Sequence, residues 1–252
     1  MEQQVGTALL LSTAAGMATL VGAGIALIRR RPAARMMALS LGLAAGVMAA
    51  VSLLELLPDG LAALAIGMPG PAGLLAVGAA CGVGVLSAML LKLAIPETAG
   101  QAAYSRLGLF AAAALLAHNL PEGMAVFLGG SADPGAGVRL CLAIALHNIP
   151  EGISVAMPVM GAGESRARAL GLAAAAGFAE PAGAVLAWLF LDGRLGENGL
   201  PLICCGVAGL MVALALLELM PAAWRARRLP AALGFLLGTA VAMGALALEI
   251  GQ

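Results

Sequence analysis

The sequence predicts an all-α polytopic membrane protein: a single transmembrane domain over 1–252, with eight transmembrane helices in a 3+2+3 inverted-repeat bundle and both termini outside. Three observations predict it. Hydrophobic residues make up 62% of the chain and charged residues 10%, with a mean hydropathy of +1.03, a balance that no ordinary soluble protein keeps. The apolar residues fall in runs long enough to cross a bilayer. The basic residues lie almost wholly between those runs, on alternate sides. Aromatics are scarce at 3% while glycines number 35, which suits helices packed through small residues rather than the two-residue alternation of a barrel.

In chain order, the runs lie at about 7–28, 36–57, 71–92, 107–128, 138–160, 169–190, 200–220 and 230–250, each near the roughly 20 residues that a spanning helix needs. Met1-Glu2-Gln3-Gln4 puts no basic segment ahead of the first run, so that run is expected to stay in the mature protein. The breaks carry charge or turn chemistry: Arg29-Arg30-Arg31-Pro32, Pro58-Asp59-Gly60, Lys92 to Arg106, Asp133-Pro134-Gly135, Glu164 to Arg168, Asp192 to Asn198, and Arg225 to Pro230. Short breaks make consecutive helices antiparallel.

Orientation follows from the basic residues. Arg29, Arg30, Arg31, Arg35, Lys92, Arg106, Arg166, Arg168, Arg225, Arg227 and Arg228 fall on one side, and only Arg139 and Arg194 on the other. The eleven face the cytoplasm, in a cell inner membrane, and both termini face outward. With a net charge of zero and no basic patch outside these loops, the sequence gives nucleic acid no surface; the partner expected from composition is the lipid bilayer.

The second run ends Leu53-Leu54-Glu55-Leu56-Leu57-Pro58 and the seventh Leu216-Leu217-Glu218-Leu219-Met220-Pro221, one phrase pointing in opposite directions. Pairing helices one to three with six to eight, and four with five, gives a pseudo-twofold axis in the membrane plane, the architecture of a transporter with its site at the centre. Glu55 and Glu218 themselves read equally as vestibule carboxylates that concentrate cations or as interfacial residues without a role.

The centre is marked by a phrase given twice, His118-Asn119-Leu120-Pro121-Glu122-Gly123 and His147-Asn148-Ile149-Pro150-Glu151-Gly152, which hold the only two histidines. On a helix, residues four apart share a face, so His118 lies over Glu122 and His147 over Glu151. Pro121 and Pro150 lack the N–H that would reach the carbonyls of Ala117 and Leu146, so each helix is expected to kink and free an oxygen. Pro181, after Glu180 in the sixth run, does the same for Gly177.

A carboxylate at mid-helix costs roughly 2.5–3.5 kcal/mol on insertion scales. Glu122, Glu151 and Glu180 share the centre with no Lys or Arg, so they are protonated, wet or neutralised by a cation. Imidazoles beside carboxylates favour a divalent transition ion over sodium, magnesium or calcium. The expected first site is His118, Glu122, His147 and Glu151, four N/O ligands near-tetrahedral for zinc. Asn119, Asn148 and Glu180, with shared Glu122 and Glu151, could form a second, oxygen-richer site. Cys81, Cys141, Cys204 and Cys205 lie within apolar runs without C-x-x-C spacing and read as small buried hydrophobes. Thiolates would also hold zinc too tightly for release.

These residues resemble the ZIP family of divalent-metal transporters: the two H-N-x-P-E-G phrases, the A-E-P-x-G-A of the next helix at Ala179 to Ala184, and the E-L-x-P ends of helices two and seven. The likeness is to its bacterial zinc-uptake and GufA-like branch. The resemblance implies metal movement into the cytoplasm, a homodimer, one or two central ions, and sliding of helices one, four, five and six against two, three, seven and eight. It implies Zn2+ as cargo, with Fe2+, Mn2+, Co2+ or Cd2+ as further ions, and no resident cofactor. The histidine-rich loop of many members is absent from Ala94 to Gln101.

The function expected is therefore transport of a divalent transition metal by alternating access, and not an enzyme. An intramembrane zinc metalloenzyme is the alternative from another class, but it wants H-E-x-x-H and an open coordination position, whereas Asn follows each histidine here. A metal-selective channel or receptor with the same cavity is the other alternative.

Overall fold

The computed structural model describes residues 2–28, 32–95, 100–191 and 198–250. Arg29, Arg30, Arg31 and Arg194 of the charge count, Pro96 to Ala99 of the third loop, and the outer-loop acids Asp192 and Glu197 lie outside them. The described residues form helices, eight of them long and apolar enough to cross a membrane. We number these α1 (Glu2–Leu27), α2 (Ala34–Gly67), α3 (Pro71–Ala94), α4 (Gln101–Ala132), α5 (Pro134–Gly161), α6 (Arg166–Phe190), α7 (Gly199–Ala226) and α8 (Arg228–Ile250).

Their ends are set by local chemistry. The Asp133 side chain accepts from the Gly135 N–H at α5, and Ser165 Oγ accepts from the Arg168 N–H at α6, two N-caps that satisfy otherwise orphaned donors. Pro71 and Pro134 occupy the first turn, where no N–H is needed. Gly70 before α3 (φ 82°) and Gly163 after α5 (φ 78°) take the left-handed backbone that a side chain resists.

Pro58-Asp59-Gly60 is not the break expected from its turn chemistry. A π-turn over Ser52–Leu56 precedes it, with the Leu57 N–H reaching the Ser52 carbonyl, and the wider turn carries α2 through Pro58 as far as Gly67. The seventh helix repeats the device: a π-turn over Ala215–Leu219, closed from Met220 to Ala215, precedes Pro221. The two E-L-x-P phrases thus share one local structure. α1 and α4 also begin earlier than the apolar runs do, because a helix keeps its backbone bonds where it leaves the hydrocarbon for the headgroups.

The helices pack as two groups. α1, α4, α5 and α6 all contact one another; in the other group α2 packs on α8, α3 on α7, and α2 on α7. The groups meet through α5 against α2 and α8, and α4 against α7. Glycines permit the closest approaches. A Cβ at Gly123 would run into the Glu180 carbonyl and one at Gly183 into that of Leu120, joining α4 to α6. Likewise Gly152 meets the Thr19 carbonyl and Gly22 that of Ile149, joining α5 to α1. Gly234 and Gly238 seat α8 on the Leu39 and Leu43 carbonyls of α2, whereas Gly78 and Gly82 of α3 face open space. α3 is the least buried span.

Candidate metal centre

Both histidine phrases lie in unbroken helix, α4 running through Pro121 and α5 through Pro150. Four-residue spacing places His118 Nε2 3.1 Å from Glu122 Oε1 on its own helix. Packing of α5 on α4 adds His147, whose Nε2 lies 3.2 Å from the same oxygen, and Glu151, whose Oε1 is 3.7 Å from His118 Nε2. His118, Glu122 and His147 therefore offer ligand atoms within 4.8 Å of one another, all three residues buried. Glu151 is fully buried as well.

The remaining expected residues flank this cluster. Asn148 donates to the Ala15 carbonyl of α1 at 3.0 Å and to Glu180 Oε1 of α6. Asn119 donates to the Ala176 carbonyl of α6 at 3.1 Å. Each amide is thus anchored to a backbone carbonyl through its N–H side and keeps Oδ1 as a free acceptor. Glu180 follows the turn at Phe178 that interrupts α6 between Gly177 and Ala179, just ahead of Pro181. The Gly177 carbonyl that Pro181 leaves unbonded packs where a Cβ at Gly16 of α1 would sit.

The chemistry is that of buried acceptors suited to a cation. Glu122 Oε2, both oxygens of Glu151, Glu180 Oε2, Asn119 Oδ1, Asn148 Oδ1 and His118 Nδ1 are buried without a hydrogen-bond partner, each a costly omission unless something else occupies the acceptor. No lysine or arginine pairs with these carboxylates among the described residues. A divalent cation would neutralise two of them and engage the lone pairs, as water alone would not.

The two π-turn carboxylates, which sequence leaves equally open as vestibule or interfacial residues, part company in the structure. Glu55 lines, with Pro121, Glu122, Leu140 and Cys204, a cavity of about 50 Å3 beside the cluster, so one carboxylate of the π-turns looks onto the centre. Glu218 instead sits between two cations, Lys92 Nζ at 2.7 Å and Arg106 Nη1 at 3.2 Å. Its partners lie more than a hundred residues away in sequence, and no local signal announces them. The cysteines are all free thiols, Cys141 and Cys205 buried as expected, Cys81 and Cys204 only partly buried, with Cys204 on the cavity wall.

The family model described as ZIP Zinc transporter matches residues 92–247. Among curated proteins, the chain is 41% identical to a zinc transporter of Corynebacterium efficiens over 84% of its own length and 85% of that protein's. It is 37% identical to one of Chlorobium luteolum, covering 86% and 87%, and 39% identical to one of Escherichia fergusonii, covering 85% and 86%. Each of the three carries the name ZupT.

Proposed function

The chain belongs to the ZIP family of zinc transporters, and from that premise we propose that it carries zinc across the cell inner membrane into the cytoplasm by alternating access. It is a transporter and not an enzyme. The observation that carries the site assignment is the buried convergence of His118, Glu122 and His147 within 4.8 Å, with Glu151 at the same centre. The four supply two nitrogens and two carboxylates, a set that neutralises a divalent ion and suits zinc. Asn119, Asn148 and Glu180 add oxygens at its edge, for a second ion or for a cargo ion in passage, and this oxygen-rich flank admits Fe2+, Mn2+, Co2+ or Cd2+ besides Zn2+.

The packing supports the route. Glu122 opens onto the Glu55 cavity, on the side that the arginine pattern assigns to the exterior. The ligand-bearing helices α4, α5 and α6 pack with α1 as one group, so the ion can travel with that group while α2, α3, α7 and α8 stay fixed. Matched packing, α1 on α5 with α6 on α4 and α2 on α8 with α7 on α3, supports the 3+2+3 inverted repeat, which lets one group present the site to each side in turn. The open glycine stripe of α3 at Gly78 and Gly82 is the face for a homodimer.

Purified protein in sealed liposomes tests the reading. Saturable zinc uptake that protein-free vesicles lack is the expected result, and vesicles that admit no zinc or related ion overturn it.

A further inference from the structure

α1 carries a degenerate counterpart of the sixth-helix motif. Ala15-Gly16-Met17-Ala18-Thr19-Leu20-Val21-Gly22-Ala23 aligns with Ala176-Gly177-Phe178-Ala179-Glu180-Pro181-Ala182-Gly183-Ala184, the two sharing the Ala-Gly pair, the second alanine and the closing Gly-Ala, with Thr19 at the central position where α6 has Glu180 and Leu20 where it has Pro181. The structure pairs them contact by contact. The Asn148 amide donates to Ala15 as that of Asn119 donates to Ala176. Gly152 abuts the Thr19 carbonyl as Gly123 abuts that of Glu180, Gly22 meets Ile149 as Gly183 meets Leu120, and Gly16 and Gly177 face each other.

Glu180, on α6, accepts from Asn148 of α5; under the same exchange its counterpart is Thr19, on α1, and that of Asn148 is Asn119 of α4. Thr19 is fully buried, and both its Oγ1 and Asn119 Oδ1 lack a hydrogen-bond partner. Its Cβ lies 3.2 Å from where a Cβ at Gly177 would sit, so the side chain points into the α1–α6 seam from which Glu180 also emerges. A hydroxyl in a membrane helix commonly bonds back to the carbonyl four residues earlier; here the Ala15 carbonyl is occupied by Asn148 instead.

We propose that Thr19 is a specificity-determining residue of the transport site, supplying a neutral hydroxyl oxygen to the cargo ion from α1, opposite the carboxylate that Glu180 supplies from α6. The inference rests on the central cluster being the transport site. One face of the site is thereby anionic and the other neutral, which holds the total charge to three carboxylates and keeps a divalent ion releasable. Neutral oxygen donors favour the harder ions relative to softer ones.

The test is uptake by liposomes holding wild type, Thr19→Val and Thr19→Ser, with zinc as cargo and manganese or cadmium as competitor. Valine keeps the shape and removes the oxygen; serine keeps the oxygen. Thr19→Val is expected to raise the KM for zinc about fivefold, the scale of one lost polar contact, and to weaken competition by manganese more than by cadmium. Thr19→Ser is expected to stay within about twofold of wild type on the same scale. Thr19→Val matching wild type in both KM and competition overturns the inference while transport itself stands, and so does Thr19→Ser losing as much as Thr19→Val. Wild-type vesicles that take up no zinc overturn the underlying site reading first, a result distinct from either.

Discussion

Glu122 Oε1 lies 3.1 Å from His118 Nε2 on its own helix and 3.2 Å from His147 Nε2 on the next, so one carboxylate oxygen joins the two halves of the site. Replacing Glu122 with Ala is expected to lower zinc uptake at least tenfold, the lower end of what even outer-shell partners of a metal cost. Changing His118 and His147 together is expected to cost less than the two single losses combined, because they share that oxygen. Initial uptake rates in liposomes, normalised to inserted protein, check both statements.

Acidification provides a second check. Protons and metal compete for the same lone pairs on imidazole and carboxylate, and a ligand must be deprotonated to bind. Uptake should therefore decline as the external solution moves from neutral into the range where imidazoles protonate. Rates that stay flat from neutral to mildly acidic solution, with vesicles intact, count against histidine ligation.

The glycine contacts make a stability prediction. Alanine at Gly183 or Gly22 drives a methyl into the Leu120 or Ile149 carbonyl, forcing helices apart at a cost of about 1–3 kcal/mol. Alanine at Gly171 of α6, which faces open space, should be neutral or stabilising by up to about 1 kcal/mol from helix propensity. Thermal unfolding of detergent-purified variants, followed by retention of the monodisperse peak, should show the first two falling and the third unchanged or raised.

The Glu218 cluster separates two kinds of charge. Arg106 and Glu218 are nearly buried, at 11% and 7% side-chain exposure, while Lys92 is 39% exposed. Arg106 also donates to the Ile95 carbonyl at 3.1 Å, tying α4 to the end of α3. Removing Glu218 leaves a buried guanidinium without its carboxylate and is expected to destabilise by up to about 3–5 kcal/mol. Removing Lys92 takes away the solvent-facing partner and leaves Glu218 paired with Arg106, a loss of within about 1 kcal/mol. The same unfolding measurement ranks them; equal losses would contradict the burial argument.

Much of the centre was legible because ionisable side chains stand out against an apolar background. His118, Glu122, His147 and Glu151 could be grouped by four-residue spacing and a doubled phrase alone, and the structure brings them together. The apolar runs gave the eight spans, yet their limits moved where local rules lost to context: Pro58-Asp59-Gly60 has turn chemistry, and the π-turn before it absorbs the missing donor. Thr19 was invisible because a hydroxyl in a helix is unremarkable until its paired contacts set it opposite Glu180. Glu218 was ambiguous for a different reason, since only tertiary packing shows that Lys92 and Arg106 claim it.

The central claim is that a divalent ion occupies the buried cluster between α4 and α5. Anomalous scattering from crystals grown with zinc or cadmium measures this directly. A peak within coordination distance of His118, Glu122 and His147 is the predicted result; metal bound only elsewhere in the protein, with that position empty at saturating ion, would contradict it.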